Sequence, residues 1–145
     1  MKLKHFIIGI IIILIDQLTK FLLLNKNFTI IPNFLNITYT ENRGGAFGIG
    51  TSTIITIISI IIIVGILIYI IHERRKNINY IPFILILAGS IGNLIDRICK
   101  GFVVDYIDIN LFNYPAFNIA DICIVLGVLI ILIQMIKKIF FDSKK

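Results

Sequence analysis

Charge is scarce in this 145-residue chain: Asp, Glu, Lys and Arg make up 15% of it, against about 25% in ordinary soluble domains. That shortfall argues against a disordered or solvating chain. Together with 58% hydrophobic residues, it also argues against a soluble enzyme. Cysteine is nearly absent: Cys99 and Cys123 cannot build a disulfide framework. They fall near one predicted membrane face, where either a single bridge or two packed thiols fits. Tryptophan is missing, and the two histidines, His5 and His72, sit in or beside basic flanks. No HExxH, Cys/His cluster or P-loop glycine pattern occurs, so metal, nucleotide and other cofactor chemistry has no anchor. What is present is isoleucine, 40 residues of it, and a mean hydropathy of +1.00. The chain reads as an integral membrane protein.

A spanning helix needs about 20 mostly apolar residues. Four stretches meet that need, at about 6–24, 53–71, 81–97 and 119–136. Thr51, Ser52 and Thr53 offer hydroxyl caps for the second, and Pro82 suits the first turn of the third. The first follows Met1-Lys-Leu-Lys4 but lacks a small-x-small cleavage site, and Asp16, Gln17, Thr19 and Lys20 continue the same stretch. It is expected to be a retained helix, not a leader.

The net charge of +6 invites a nucleic-acid reading, yet the basic residues form short clusters between apolar runs. Lys2, Lys4, Arg74, Arg75, Lys76, Lys137, Lys138, Lys144 and Lys145 flank one side, against Lys26, Arg43, Arg97 and Lys100 on the other. The positive-inside rule then puts both termini in the cytoplasm. The connections at about 25–52 and 98–118 face outward. Within the first, β-branched and aromatic residues from Phe28 to Thr40, broken by Pro32 and Asn33, predict one or two short strands at the membrane surface.

Ionisable residues inside a membrane are costly and mark function by default. Asp16 and Lys20, four apart, share a helix face as a neutralised pair that orients the first helix or as a substrate contact. Gly89, Asn93 and Arg97 recur every four residues as one stripe, with Gly89 and Gly92 permitting close approach. The Arg97 guanidinium suits a carboxylate or a peptide carbonyl. Asp96 points about 100° away from that stripe, to pair locally or face the headgroups. Asp105 and Asp121 lie at one membrane surface with a short connection between them, and Asp108 is as good a partner for Asp121. Two carboxylates brought together tend to share one proton, as aspartic-protease chemistry requires. The same acids suit a small proton- or cation-coupled transporter, although no inverted repeat is evident. A non-enzymatic scaffold is a third reading.

Five ordered segments decide among these. Asp16-Gln-Leu-Thr-Lys20, Glu41-Asn-Arg-Gly-Gly-Ala-Phe47, Ala88-Gly-Ser-Ile-Gly-Asn-Leu-Ile-Asp-Arg97, Val103-Val-Asp-Tyr106 and Phe117-Asn-Ile-Ala-Asp121 together resemble the lipoprotein signal peptidases of bacteria, across essentially the whole chain. The resemblance implies one membrane-embedded peptidase domain over 1–145, with four transmembrane helices and an otherwise all-α fold. A small extracytoplasmic β-cradle is implied at about 28–50, with a partly mobile helical segment near the second outer connection covering the site. The implied activity is metal-free cleavage of diacylglyceryl-modified prolipoproteins just before the lipidated cysteine, at the outer face of the bacterial cytoplasmic membrane. Asp105 and Asp121 would be catalytic, Asn42, Asn93, Arg97 and Asn118 would line the site, and Asp16 and Lys20 would support the fold. Membrane lipid and a globomycin-type inhibitor are the other implied partners. Gly45, Ser90 and Tyr106 depart mildly from the usual pattern.

Overall fold

The computed structural model describes residues 3–44, 50–73, 78–110 and 114–142. Four helices, α1 (Leu3–Leu22), α2 (Ser52–His72), α3 (Ile81–Lys100) and α4 (Ile119–Asp142), are each long and apolar enough to cross a membrane. They turn large apolar side chains outward, Phe21, Ile61 and Phe140 among them. In water such faces would drive aggregation; hydrocarbon reverses the sign.

α3 is the centre of the bundle. It packs against each of the other helices and buries ten of its residues, whereas α2 buries none. Small residues make that possible. A β-carbon at Gly89 would collide with the Ala120 carbonyl of α4, and one at Gly92 would sit 2.6 Å from Oδ2 of Asp16 on α1. The α3 glycines are therefore where neighbouring backbone and buried charge come closest.

The helix ends follow local chemistry. Of the three hydroxyls at the start of α2, Thr51 is the cap, its Oγ1 accepting from the Ile54 amide at 3.4 Å. Pro82 sits in the first turn of α3. α3 runs on to Lys100 and α4 to Asp142, past the expected ends at 97 and 136. Lys and Arg are good helix formers, so a helix can leave the apolar layer without breaking.

Three strands form an open antiparallel sheet in the order β1-β2-β3, from β1 (Asn27–Ile31), β2 (Leu35–Asn42) and β3 (Val103–Ile109). β1 turns into β2 through Ile31–Phe34, closed by Phe34 N–H donating to the Ile31 carbonyl at 3.1 Å. Pro32 presets the second position of this turn, and Asn33 takes a left-handed φ of 60° at the third. The expected cradle segment at 28–50 supplies β1 and β2, and the third strand comes from the second outer connection, about 60 residues on in the sequence, a loop closure that no local pattern reveals. Gly45–Ile49 lie outside the described residues, and with them the Gly45 departure. So do Lys2, Arg74, Arg75, Lys76, Lys144 and Lys145. Residues 114–116, described, are not helical, and 111–113 are outside the description, so the covering helical segment has no counterpart among the described residues.

β2 carries one extra residue against β3. Ile37 pairs with Ile107 but Thr40 pairs with Asp105, so Thr38 and Tyr39 together oppose Tyr106. Because side chains alternate with period two, this bulge exchanges the faces of everything beyond it. It puts Thr40 and Asn42 on the same face as Val103 and Asp105. Without it Asn42 would point away.

Candidate active site

Two buried polar groups meet at the end of the bundle that carries the sheet. The first is an ion cluster. Lys20 Nζ, fully buried, lies 2.9 Å from Asp16 Oδ2 and 3.3 Å from Asp96 Oδ2. Lys100 adds a second cation, 2.9 Å from Asp96 Oδ1. Two acids and two bases therefore balance. Both acids also serve the backbone: Asp16 Oδ1 accepts from the Ala120 amide at 3.0 Å, and Asp96 Oδ2 from the Val104 amide at 3.1 Å. Asp16 thus satisfies a first-turn donor of α4 from another helix. Of the two expectations for Asp96, local pairing holds through Lys100 and exposure to headgroups does not: the residue is fully buried.

The second group is an acid pair dressed in amides. Asn118 caps α4, its Oδ1 accepting from the Asp121 amide at 2.9 Å, while Asp121 Oδ2 accepts from the Asn118 amide at 3.2 Å. This is a capping box written with Asn and Asp. The cap commits Asn118 Oδ1, so its NH2 faces the other way, and Nδ2 lies 2.6 Å from Asp105 Oδ1. Asn42 Nδ2 donates to Asp105 Oδ2 at 2.9 Å, the contact the bulge makes available. Asn93 Nδ2 donates to Asp121 Oδ1 at 2.7 Å. Phe117 fixes the approach of the two segments: its backbone exchanges hydrogen bonds with Ile107, 2.8 and 3.0 Å, and ties the start of α4 to β3.

Both acids line a cavity of about 510 Å³ whose walls come from α2, α3 and α4. Part of its lining is apolar, with Ile58, Ile62, Ile86 and Val128; Asn93, Arg97, Asp105 and Asp121 supply the polar part. A second cleft, about 970 Å³, is lined by Thr40, Glu41, Arg43, Ser52 and Thr53 among others. The two share Asn42, Asp105, Pro115 and Ala116. Arg97 donates from Nη2 to the Gly44 carbonyl at 3.1 Å. Its Nε is the buried side-chain donor without a partner among the described residues.

Asp105 stands on β3, outside the spanning helices. Burial first, and then the charge of Asp121, push its carboxyl up to about 6; the amides of Asn42 and Asn118 and the charge of Lys20 pull it back. A carboxyl so poised holds a proton at mildly acid pH while keeping two donors aimed at its ionised form.

The structure gathers Asp105, Asp121, Asn42, Asn93, Asn118 and Arg97 in one place and sets Asp16 and Lys20 beside them. Asp108 lies apart, accepting from Thr38 Oγ1 at 3.1 Å, and does not line either cavity. Cys99 is exposed, Cys123 is buried, and both are free thiols. Sequence reasoning missed Asp96 as a partner of Lys20, and it missed the capping box. The Asn-x-x-Asp spacing ahead of an apolar run was the available signal for the box.

Four apolar helices around a buried polar site at one end define a multi-pass membrane protein of enzymatic type. Residues 8–137 match the family model described as signal peptidase (SPase) II. Lipoprotein signal peptidases of Staphylococcus aureus strains bovine RF122 / ET3-1 and JH9 are 39% and 40% identical over 149 aligned positions, covering 92% of this chain and 91% of each relative. A solved bacterial membrane enzyme is 35% identical with a TM-score of 0.86, over 98% of this chain and 92% of that one. Another is 36% identical with a TM-score of 0.81, over 92% and 93%. The chain belongs to the signal peptidase II family, and is accordingly a membrane peptidase that removes signal peptides. The transporter and scaffold readings fall with that membership. The charges that motivated a transporter are also compensated, Asp16, Lys20 and Asp96 by one another and Arg97 on Gly44.

Proposed function

We propose that this peptidase is of the aspartic type, and that it cuts diacylglyceryl-modified prolipoproteins just before the lipidated cysteine. The observation that carries this reading is Asp105 and Asp121 lining the same cavity, each carboxylate held by side-chain amides. In the reaction the ionised Asp121 takes a proton from water as the water oxygen bonds to the scissile carbonyl carbon. Asp105 gives its proton to the carbonyl oxygen. On collapse the C–N bond breaks, the amine leaves with the proton held by Asp121, and the diol returns a proton to Asp105. Both acids end as they began. Asp121 is the ionised partner because it sits in the first turn of α4, where the helix dipole favours negative charge.

Asn42, Asn93 and Asn118 hold the pair, and the unused Nε of Arg97 is a donor for a substrate carbonyl. The apolar cavity between α2 and α4 takes the lipid-embedded part of the substrate, and the polar cleft takes the chain that continues outside. A substrate anchored in the same bilayer needs little peptide contact, since confinement already raises its local concentration. Asp16 and Lys20 support the fold. Both termini are cytoplasmic and the sheet lies on the outer surface, by the distribution of Lys and Arg.

The test is purified protein with a lipidated prolipoprotein, following the mass of the released leader with and without a globomycin-type inhibitor. Asp105→Asn and Asp121→Asn should remain folded and lose roughly 10³-fold or more of the rate, while Asp108→Asn changes it by less than about threefold, as expected for a surface hydrogen bond. Full processing by Asp121→Asn sinks the reading.

A further inference from the structure

Asn93 stands between the two polar groups, and its amide is used at both ends. Oδ1 accepts from Lys20 Nζ at 2.9 Å and from Asn118 Nδ2 at 3.2 Å; Nδ2 donates to Asp121 Oδ1 at 2.7 Å. The two ends of an amide have nearly the same shape, so packing alone does not choose which faces the acid. Lys20 chooses. An ammonium can only donate, and this one is fully buried with Asp16, Asp96 and Asn93 around it. It requires an oxygen from Asn93, which leaves the NH2 for Asp121.

Resting on the aspartic reading above, we propose that Lys20 is a positioning residue for the reaction: through Asn93 it fixes a donor on Asp121 and so holds the acid that activates water. It touches neither carboxylate of the pair by hydrogen bond, and its effect reaches Asp121 along one amide. Charge balance with Asp16 and Asp96 is a separate, structural task of the same side chain. The two tasks can be pulled apart because Asp16 and Lys20 cancel each other.

The decisive variant is Lys20→Met combined with Asp16→Asn. It leaves Asp96 paired with Lys100 and keeps a side-chain oxygen for the Ala120 amide, but removes the charged, nearer one of the two donors that orient Asn93, leaving the Asn118 amide at 3.2 Å. The expected result is a folded, membrane-inserted protein with kcat down about 10²-fold, as for a small misplacement of a reacting group, and KM unchanged. Asp121 is faced by Asn93 and Arg97 from α3, Asp16 and Lys20 from α1 and Asp105 from β3, and α2 brings no ionisable group to the cavity. With charges cancelled on α1, the acid limb of kcat/KM moves to higher pH through loss of the donor, and the bell narrows. In an Asn93→Ala background the same double change should add less than about twofold, because the relay is already cut. Lys20→Arg, which also only donates, should keep the wild-type pH profile.

A folded double variant with unaltered kcat and pH profile overturns the proposal, as does additivity with Asn93→Ala. Loss of folded protein in both the double variant and Lys20→Arg assigns Lys20 to folding alone and overturns it too. If Asp105→Asn and Asp121→Asn are fully active, the aspartic reading fails instead, and the Lys20 result is not what decides that.

Discussion

The ion cluster and the acid pair lie side by side at one end of the bundle, yet they handle buried charge in opposite ways. In the cluster each carboxylate meets a cation: Asp16 has Lys20, and Asp96 has Lys20 and Lys100. In the pair each carboxylate meets only neutral amides, with the other acid nearby in the same cavity. A compensated charge is inert; breaking it strands its partner in a medium that cannot solvate it. An uncompensated acid held by amides keeps its donors whether or not it carries a proton, and so can exchange one. Proximity to lipid is common to both. The difference is whether a cation touches the carboxylate.

The largest effect that would break this contrast is on the cluster. Asp96→Ala should cost about 3–5 kcal/mol, since it leaves Lys20 with one acid for a fully buried ammonium and frees the Val104 amide. Thermal unfolding in detergent reads this directly. A variant with wild-type unfolding but no activity would put Asp96 in the chemistry and merge the two groups. Asn118→Ala is intermediate, because Asn118 both caps α4 and donates to Asp105. It should lose about 1 kcal/mol of stability, as caps do, and roughly 10²-fold in kcat, separable by measuring unfolding and single-turnover rate on one preparation.

The smallest effect is the pH dependence of the pair. With the Asp105 carboxyl at about 6 in the folded protein and lower when unfolded, the folded state holds more protons across that interval. Stability therefore falls as pH rises from about 4 to about 6, and Asp105→Asn should flatten that slope. The unfolding midpoint of both proteins across the interval measures it. kcat/KM should decline along its alkaline limb from about pH 6, as the shared proton leaves. A slope unchanged in Asp105→Asn would mean that the titration belongs elsewhere.

Much of this was legible beforehand because the signals are local. Apolar runs of helical length give α1 to α4, Pro32-Asn33 gives the turn, and the four-residue spacings give the Asp16–Lys20 pair and the Gly89–Asn93–Arg97 stripe. What escaped is contact between distant segments. β3 alternates over Val103–Ile109, but its partner strand lies far back in the chain, and nothing local announces the pairing. Helical spacing puts Asp96 off the stripe, yet that Lys20 of another helix meets it there is a matter of how α1 leans on Gly92. Only resemblance to a family puts Asn42 at the site. Its neighbours in sequence contain no hint of the bulge that aims it.

That bulge bears on how the chain tolerates change in length. Losing Thr38 or Tyr39 would leave a regular ladder with Thr40 still opposite Asp105 and Asn42 still opposite Val103, whereas losing Glu41 with the bulge kept would turn Asn42 outward from Asp105. Between β2 and the acid it serves, where a codon goes missing matters more than which one it is: the bulge has a residue to spare, and the stretch beyond it has none.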